Sequence, residues 1–244
     1  MSEPVNSSPA PELPRDFLTT RWSVVLEAGA QSGAALERLC RTYWYPVYGY
    51  IRRRGVDEHR AKDLTQEFFA TLLAGEGLQR VSPDRGRFRS FLLASVKNTL
   101  HNDWRDASRQ KRGGGREILS WDGMDPEERY RHEAGDAPPE ALFDAAWAQS
   151  VVTEALQQLE REMAAEGVRD RFEVLKGFLQ GDGRGLTYEE AGERLGLSMP
   201  AVKSAILRMR RRYGELIRVE VTATIGPEGN VEEEIQHLIS VLSA

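Results

Sequence analysis

The stretch LTYEEAGERLGLSMPAVKSAILRMRRRY, Leu186 to Tyr213, constrains the fold more than any other part of the chain. Thr187 stands three residues before Glu190, the spacing of a capping box, in which each side chain satisfies a backbone N–H at the start of a helix. Gly196 can supply the left-handed backbone conformation that closes such a helix. Ser198 can cap a second helix, and Pro200 falls in its first turn, where a missing N–H breaks no intrahelical bond. Two helices joined by so short a turn predict a helix-turn-helix. Ala191, Leu195, Val202, Ile206 and Met209 are expected to face inward, and Lys203, Ser204, Ala205, Arg208, Arg210, Arg211 and Arg212 to face solvent or DNA. A second helix of this kind fits the major groove, with its N-terminal residues at base edges and its basic end along phosphates. The plainer reading is a pair of bundle helices with solvated arginines. Both caps, the turn glycine and four arginines within residues 208–212 together favour DNA.

The 244 residues are 40% hydrophobic and 29% charged, enough for one or two soluble domains with a real core. Cys40 is the only cysteine and cannot form an internal disulfide. No apolar run approaches the length of a bilayer, and the opening MSEPVNSSPAPELPRD lacks the basic start and apolar core of a signal peptide. No membrane association and a cytoplasmic location are therefore expected. The formal net charge of −5 argues against nucleic acid only if it is evenly spread. It is not. Arg85 to Arg112 holds eight Lys/Arg against two Asp, and the segment after Tyr213 holds six Glu against one Arg. Charges act over a Debye length of about 8 Å at physiological salt, so basic islands in an acidic chain remain DNA-binding candidates.

Apolar periodicity organises the rest. The first 16 residues, rich in Pro and Ser, are expected to be disordered, with a helical block following from about Thr19 to Ala30. Leu36, Leu39, Cys40, Tyr43, Val47, Tyr50 and Ile51 recur at helical spacing, with a kink or break expected at Pro46. Ala61, Leu64, Phe68 and Leu72 repeat the pattern on a helix that Asp57 can cap. A turn-rich stretch, Ala74 to Arg87, leads to an amphipathic helix from about Phe88 to Arg109. Residues 113–145 mix Gly, Pro and acids and read as a flexible linker. Val151, Leu156, Leu159, Met163, Phe172, Leu175, Phe178 and Leu179 lead into the helix-turn-helix. After a turn at Gly226 to Asn230, Val231, Ile235, Leu238, Ile239 and Leu242 form one helical face. The expected fold is all-α: an extension (1–34), a helical domain (35–112), the linker (113–145), a helix-turn-helix domain (146–225) and an acidic amphipathic helix (226–244). The glycines of GDGRG follow no strand and precede no lysine at phosphate-loop spacing, and the four histidines lack ligand spacing.

DLTQEFFATLL (Asp63 to Leu73), a loop, and FRSFLLASVKNTLHNDWR (Phe88 to Arg105) resemble region 2 of the extracytoplasmic function sigma factors. TYEEAGERLGLSMPAVKSAILRMRRRY is similar to their region 4. The resemblance implies a non-enzymatic sigma subunit with no cofactor or metal, whose partners are core RNA polymerase, promoter DNA and a regulator such as an anti-sigma factor. By it, Asp63, Gln66, Glu67 and Phe68 dock on the β′ clamp helices, while the second domain engages the β flap. Arg85, Arg87, Arg89, Lys97, Asn98, His101, Asn102, Arg105, Arg109, Lys111 and Arg112 hold the −10 element as a single strand. Pro200, Ala201, Lys203, Ser204, Ala205, Arg208, Arg211 and Arg212 read the −35 duplex. Phe91, Ala94, Ala205, Leu207 and Lys62 depart from the residues common in the family. Trp104 is open between base stacking and helix packing, and Thr65 is a phosphorylation candidate beside Lys62. Two other readings stay open: a helix-turn-helix regulator that binds duplex DNA without polymerase, and a nucleic-acid-processing enzyme, which needs a carboxylate cluster not found in the sequence. For the last helix, Glu232 to Glu234 either shield the arginines of the recognition helix or sit on a helix that only completes the core.

Overall fold

The computed structural model describes residues 33–73, 88–107, 125–133, 135–179, 185–222 and 230–243. Its elements are all helical: α1 (Gly33–Arg53), α2 (Glu58–Leu73), α3 (Phe88–Ala107), α4 (Pro126–Glu133), α5 (Pro139–Ala165), α6 (Arg169–Leu175) running into a 3-10 turn (Lys176–Leu179), α7 (Tyr188–Leu195), α8 (Met199–Thr222) and α9 (Val231–Leu242). The expected all-α class is the one observed, with no strand among the described residues. The readings of residues 1–30 and of the turn-rich stretch before Phe88 lie outside them.

An aromatic core organises the first half. Tyr43, Val47, Tyr48, Tyr50 and Ile51 of α1 meet Leu64, Phe68 and Leu72 of α2 and Phe88, Leu92, Val96 and Leu100 of α3. Tyr43 and Phe88 pack edge to face with centroids 5.3 Å apart, an arrangement that the ring quadrupoles favour. Each of these large side chains contributes about 1.5–3 kcal/mol on burial. Pro46 does not break α1, which runs unbroken from Gly33 to Arg53. Asp57 caps α2 as expected, its Oδ1 accepting the Arg60 N–H at 3.0 Å. Phe68 is core, which removes it from the expected polymerase-docking set.

The linker expectation is corrected, because two described parts of 113–145 are helical. The 27-residue α5 begins at Pro139, in the first turn where proline is preorganised, and spans about 40 Å at 1.5 Å per residue. Its first half, with Phe143, Ala146, Trp147, Ala148 and Val151, closes the aromatic core; Ala155, Leu159 and Met163 of its second half enter a second core. One helix thus belongs to both. The polar α4 has almost no apolar face to reveal it in the sequence. It is pinned by Glu127, a buried carboxylate that accepts hydrogen bonds from Arg52 Nε (2.7 Å), Arg52 Nη2 (2.8 Å) and Tyr48 Oη (2.5 Å).

The second core gathers Phe172 and Leu175 of α6, Phe178, Ala191 of α7, and Val202, Ala205, Ile206, Met209 and Leu216 of α8. The capping box forms: Glu190 N–H donates to Thr187 Oγ1 at 3.2 Å and Thr187 N–H to Glu190 Oε2 at 2.8 Å. Gly196 has φ +63°, and the Leu197 N–H returns to the Gly192 carbonyl at 2.9 Å. That return brings the turn so close that a Cβ on Gly192 would lie 2.6 Å from the Leu197 carbonyl oxygen.

Helix α9 is capped by Asn230, whose side chain accepts the N–H groups of Glu232 (3.0 Å) and Glu233 (3.4 Å). Arg208, Arg210, Arg211 and Arg212 of α8 stay exposed with it in place. Glu232 pairs with Arg218 at 2.6 Å, and Glu234 turns inward to Arg89 Nε at 2.7 Å. Leu238 joins the aromatic core, with Val231, Ile235 and Val241 packed against it. No helix among the described residues is long and apolar enough to cross a membrane.

Candidate nucleic-acid interface

Helix α8 buries Val202, Ala205, Ile206, Met209 and Leu216. The first four fall at i, i+3, i+4 and i+7, so one stripe faces the core. Ala205 is therefore corrected from DNA-facing to core. The opposite stripe exposes Pro200, Lys203, Ser204, Leu207, Arg208 and Arg211, with Ala201 half-buried beside it. Leu207, absent from the expected set, is 69% exposed. Counting helical turns from Val202 and Met209 would have placed Ala205 inside and Leu207 outside from sequence alone.

The cations on this helix are held to different degrees. Arg210 donates to the Phe178 carbonyl through Nε (3.0 Å) and Nη2 (2.6 Å), and so buttresses the fold. Arg212 is clasped by Glu162 (2.8 and 2.9 Å) and Glu215 (3.0 Å); these hydrogen bonds raise its guanidinium pKa and lower those of both carboxyls. Arg211 reaches Glu215 at 3.3 Å, and Lys203 Nζ lies 5.4 Å from the Tyr188 ring centroid. Exposed pairs of this sort contribute about 0–1 kcal/mol, so Arg211 and Arg212 can be redirected to phosphates at little cost.

On α3 a second stripe lies outward. Ala94, Lys97, Asn98, His101, Asn102 and Arg105 are exposed, opposite buried Leu92, Val96 and Leu100. Lys97 makes a surface pair with Glu140 at 2.9 Å, whose hydrogen bond raises the lysine pKa. Trp104 is 46% exposed, with the Arg54 guanidinium 5.4 Å from its ring centroid. Asp103 is paired with Arg60. Arg89 is corrected: it points away from this stripe, is almost fully buried, and bonds Glu234 and Asp144 while lying 4.8 Å over the Trp147 ring. Burial pushes its pKa down, but the hydrogen bond it donates to Glu234 and the charge of Asp144 outweigh that, so it stays cationic. Arg85, Arg87, Arg109, Lys111 and Arg112 lie outside the described residues.

Helix α2 presents Asp63 and Gln66, both partly exposed, and Glu67, exposed, on one outward face. Glu67 makes a surface pair with Arg60 at 3.3 Å. Lys62 turns the other way, pairing with Glu58 (2.8 Å) and Asp125 (3.3 Å) next to α4. Thr65 is buried, its hydroxyl donating to the Ala61 carbonyl at 2.7 Å, out of reach of a modifying enzyme in this state.

Among the described residues, a capped helix-turn-helix and two polar, cation-bearing stripes make the kind of surface that suits nucleic acid. The family model of Sigma-70 region 2 matches residues 39–110, which take in most of α1, all of α2 and α3. The match supports a sigma-70 family protein with a role in transcription initiation, and such a domain implies contact with core RNA polymerase and promoter DNA. The helix-turn-helix lies outside the matched residues. Neither the curated proteins nor the solved structures compared with the chain gave a match.

Proposed function

We propose that the chain is a sigma factor of the extracytoplasmic function type. Asp63, Gln66 and Glu67 form the face that meets the β′ clamp helices, a mixed acidic and amide surface beside a packed aromatic core. Lys97, Asn98, His101, Asn102 and Arg105 hold the unpaired −10 strand, the cations on phosphates and the amides on base edges. Pro200, Ala201, Lys203, Ser204 and Arg208 approach the −35 duplex, with Arg211 and Arg212 along its backbone, and the surrounding helices engage the β flap. The polymerase supplies all the chemistry; the chain positions promoter and enzyme in the cytoplasm, with no catalytic residue, cofactor or metal of its own.

The observation that carries this reading is the pairing of a region 2 match with a separate helix-turn-helix, joined through α5. A duplex-binding repressor has no use for the first of these. Run-off transcription with core polymerase, on DNA upstream of the chain's own gene, tests it. A specific transcript that depends on the chain is expected. Duplex binding without any complex with core polymerase would favour the polymerase-independent regulator instead.

A further inference from the structure

Among the described residues, Leu207 is the most exposed of the large hydrophobic side chains, at 69%, against 40–50% for Trp104, Met199, Val219, Ile239 and Leu242. A single exposed leucine needs no explanation by itself. Its position does. Lys203 and Ser204 lie one turn before it and Arg208 and Arg211 follow on the same outward stripe, while Val202, Ala205, Ile206 and Met209 bury the other side. Whatever that stripe enters, Leu207 enters near its centre.

The geometry points to Leu207 as a specificity-determining residue that selects a thymine methyl group in the duplex read by α8; this rests on the −35 reading proposed above. The C5 methyl of thymine is the one apolar group on the major-groove edges of the four bases. Leucine offers no donor or acceptor. Against G·C, or against the adenine edge, it would cover polar atoms without replacing their hydrogen bonds to water, so it disfavours those bases as well as favouring thymine. The neighbouring Lys203, Ser204 and Arg208 supply hydrogen bonds for other positions, leaving an apolar contact as the only recognition Leu207 can add.

The test is selection of duplexes from a randomised library by the full chain in complex with core polymerase, for the unaltered protein and for Leu207→Ala. An exposed side chain leaves the fold indifferent to its loss, and matched melting curves verify this. Enrichment of thymine at one position, lost in Leu207→Ala while other positions keep their preferences, is the expected outcome. Replacing that thymine by uracil should then weaken binding of the unaltered protein about fourfold, the worth of one buried methyl, and leave Leu207→Ala unaffected. Cytosine methylated at C5 should recover part of the lost binding. An enriched duplex with the same preferences in both proteins, or a uracil effect of equal size in both, overturns the role of Leu207 while leaving the −35 reading intact. Formation of the polymerase complex with no enriched duplex overturns both.

Discussion

Replacing Glu234 by Ala, or deleting residues 226–244, separates the two roles open to the last helix. The side chain of Glu234 is 0% exposed and that of Arg89 9%, so the carboxylate cannot be replaced by bulk water without moving α9. Removing one partner of a buried pair typically costs about 3–5 kcal/mol, because the other charge is left behind. Arg89 keeps Asp144 and its place over Trp147, which puts the expected loss at the lower end, about 3 kcal/mol. In a chain of this size that lowers the melting temperature by about 6–12 °C. The deletion also removes Leu238 and the packing of Val231, Ile235 and Val241, and should cost more. Neither change should tighten DNA binding, since Glu232 pairs with Arg218 and Glu234 with Arg89, neither of which is a cation of the recognition stripe. Thermal denaturation followed by circular dichroism, paired with fluorescence anisotropy on promoter duplex, measures both. A truncated chain of undiminished melting temperature that bound DNA more tightly would refute the structural role and restore shielding.

Glu127 should make α4 docking acid-labile. Its hydrogen bonds to Arg52 pull the carboxyl from the ordinary 4.5 down to about 2, so it contributes about 3 kcal/mol that is fully present above pH 4.5 and lost as pH falls through about 2. The gap in denaturation midpoint between the unaltered chain and Glu127→Gln should therefore be widest near neutrality and close between pH 4.5 and 2. Gly192→Ala pits about 1 kcal/mol of gained helix propensity against the 2.6 Å approach to the Leu197 carbonyl; the clash should win by about 1–2 kcal/mol in urea titration. Asp63→Arg with Glu67→Arg should abolish co-purification with core polymerase while leaving the melting temperature within a degree or two, because both side chains lie on the outward face of α2. Arg211→Ala and Arg212→Ala should weaken duplex binding across sequences and flatten its salt dependence by about 0.9 per lost contact, whereas Lys203→Ala and Ser204→Ala should change which sequences bind.

The sequence yields some of this architecture readily and hides the rest for identifiable reasons. Thr187, Glu190 and Gly196 were legible because caps and left-handed turns are local, set by residues within one turn of each other. The apolar periods of α1, α2, α3 and α8 were legible because a helix must bury one stripe whatever it packs against. Errors arose where a residue's neighbours come from distant segments. Arg89 read as a DNA contact because it stands in a basic run, but its partners are Asp144 and Glu234, the latter 145 residues away. The same long reach made α4 invisible: a short helix with Pro126 and Tyr130 among charged residues shows no apolar period, and Tyr48 and Arg52, more than 70 residues earlier, give Glu127 its reason to be buried. Charged residues thus carry two meanings that local charge density cannot separate. In this chain the difference follows from the register of the helix beneath them: cations opposite the apolar stripe of α3 or α8 face solvent, and Arg89, lying on the buried side with Leu92, Val96 and Leu100, had to find a carboxylate within the fold. Register, checked residue by residue against the apolar stripe, therefore separates candidate DNA contacts from structural ion pairs more sharply than local charge density does.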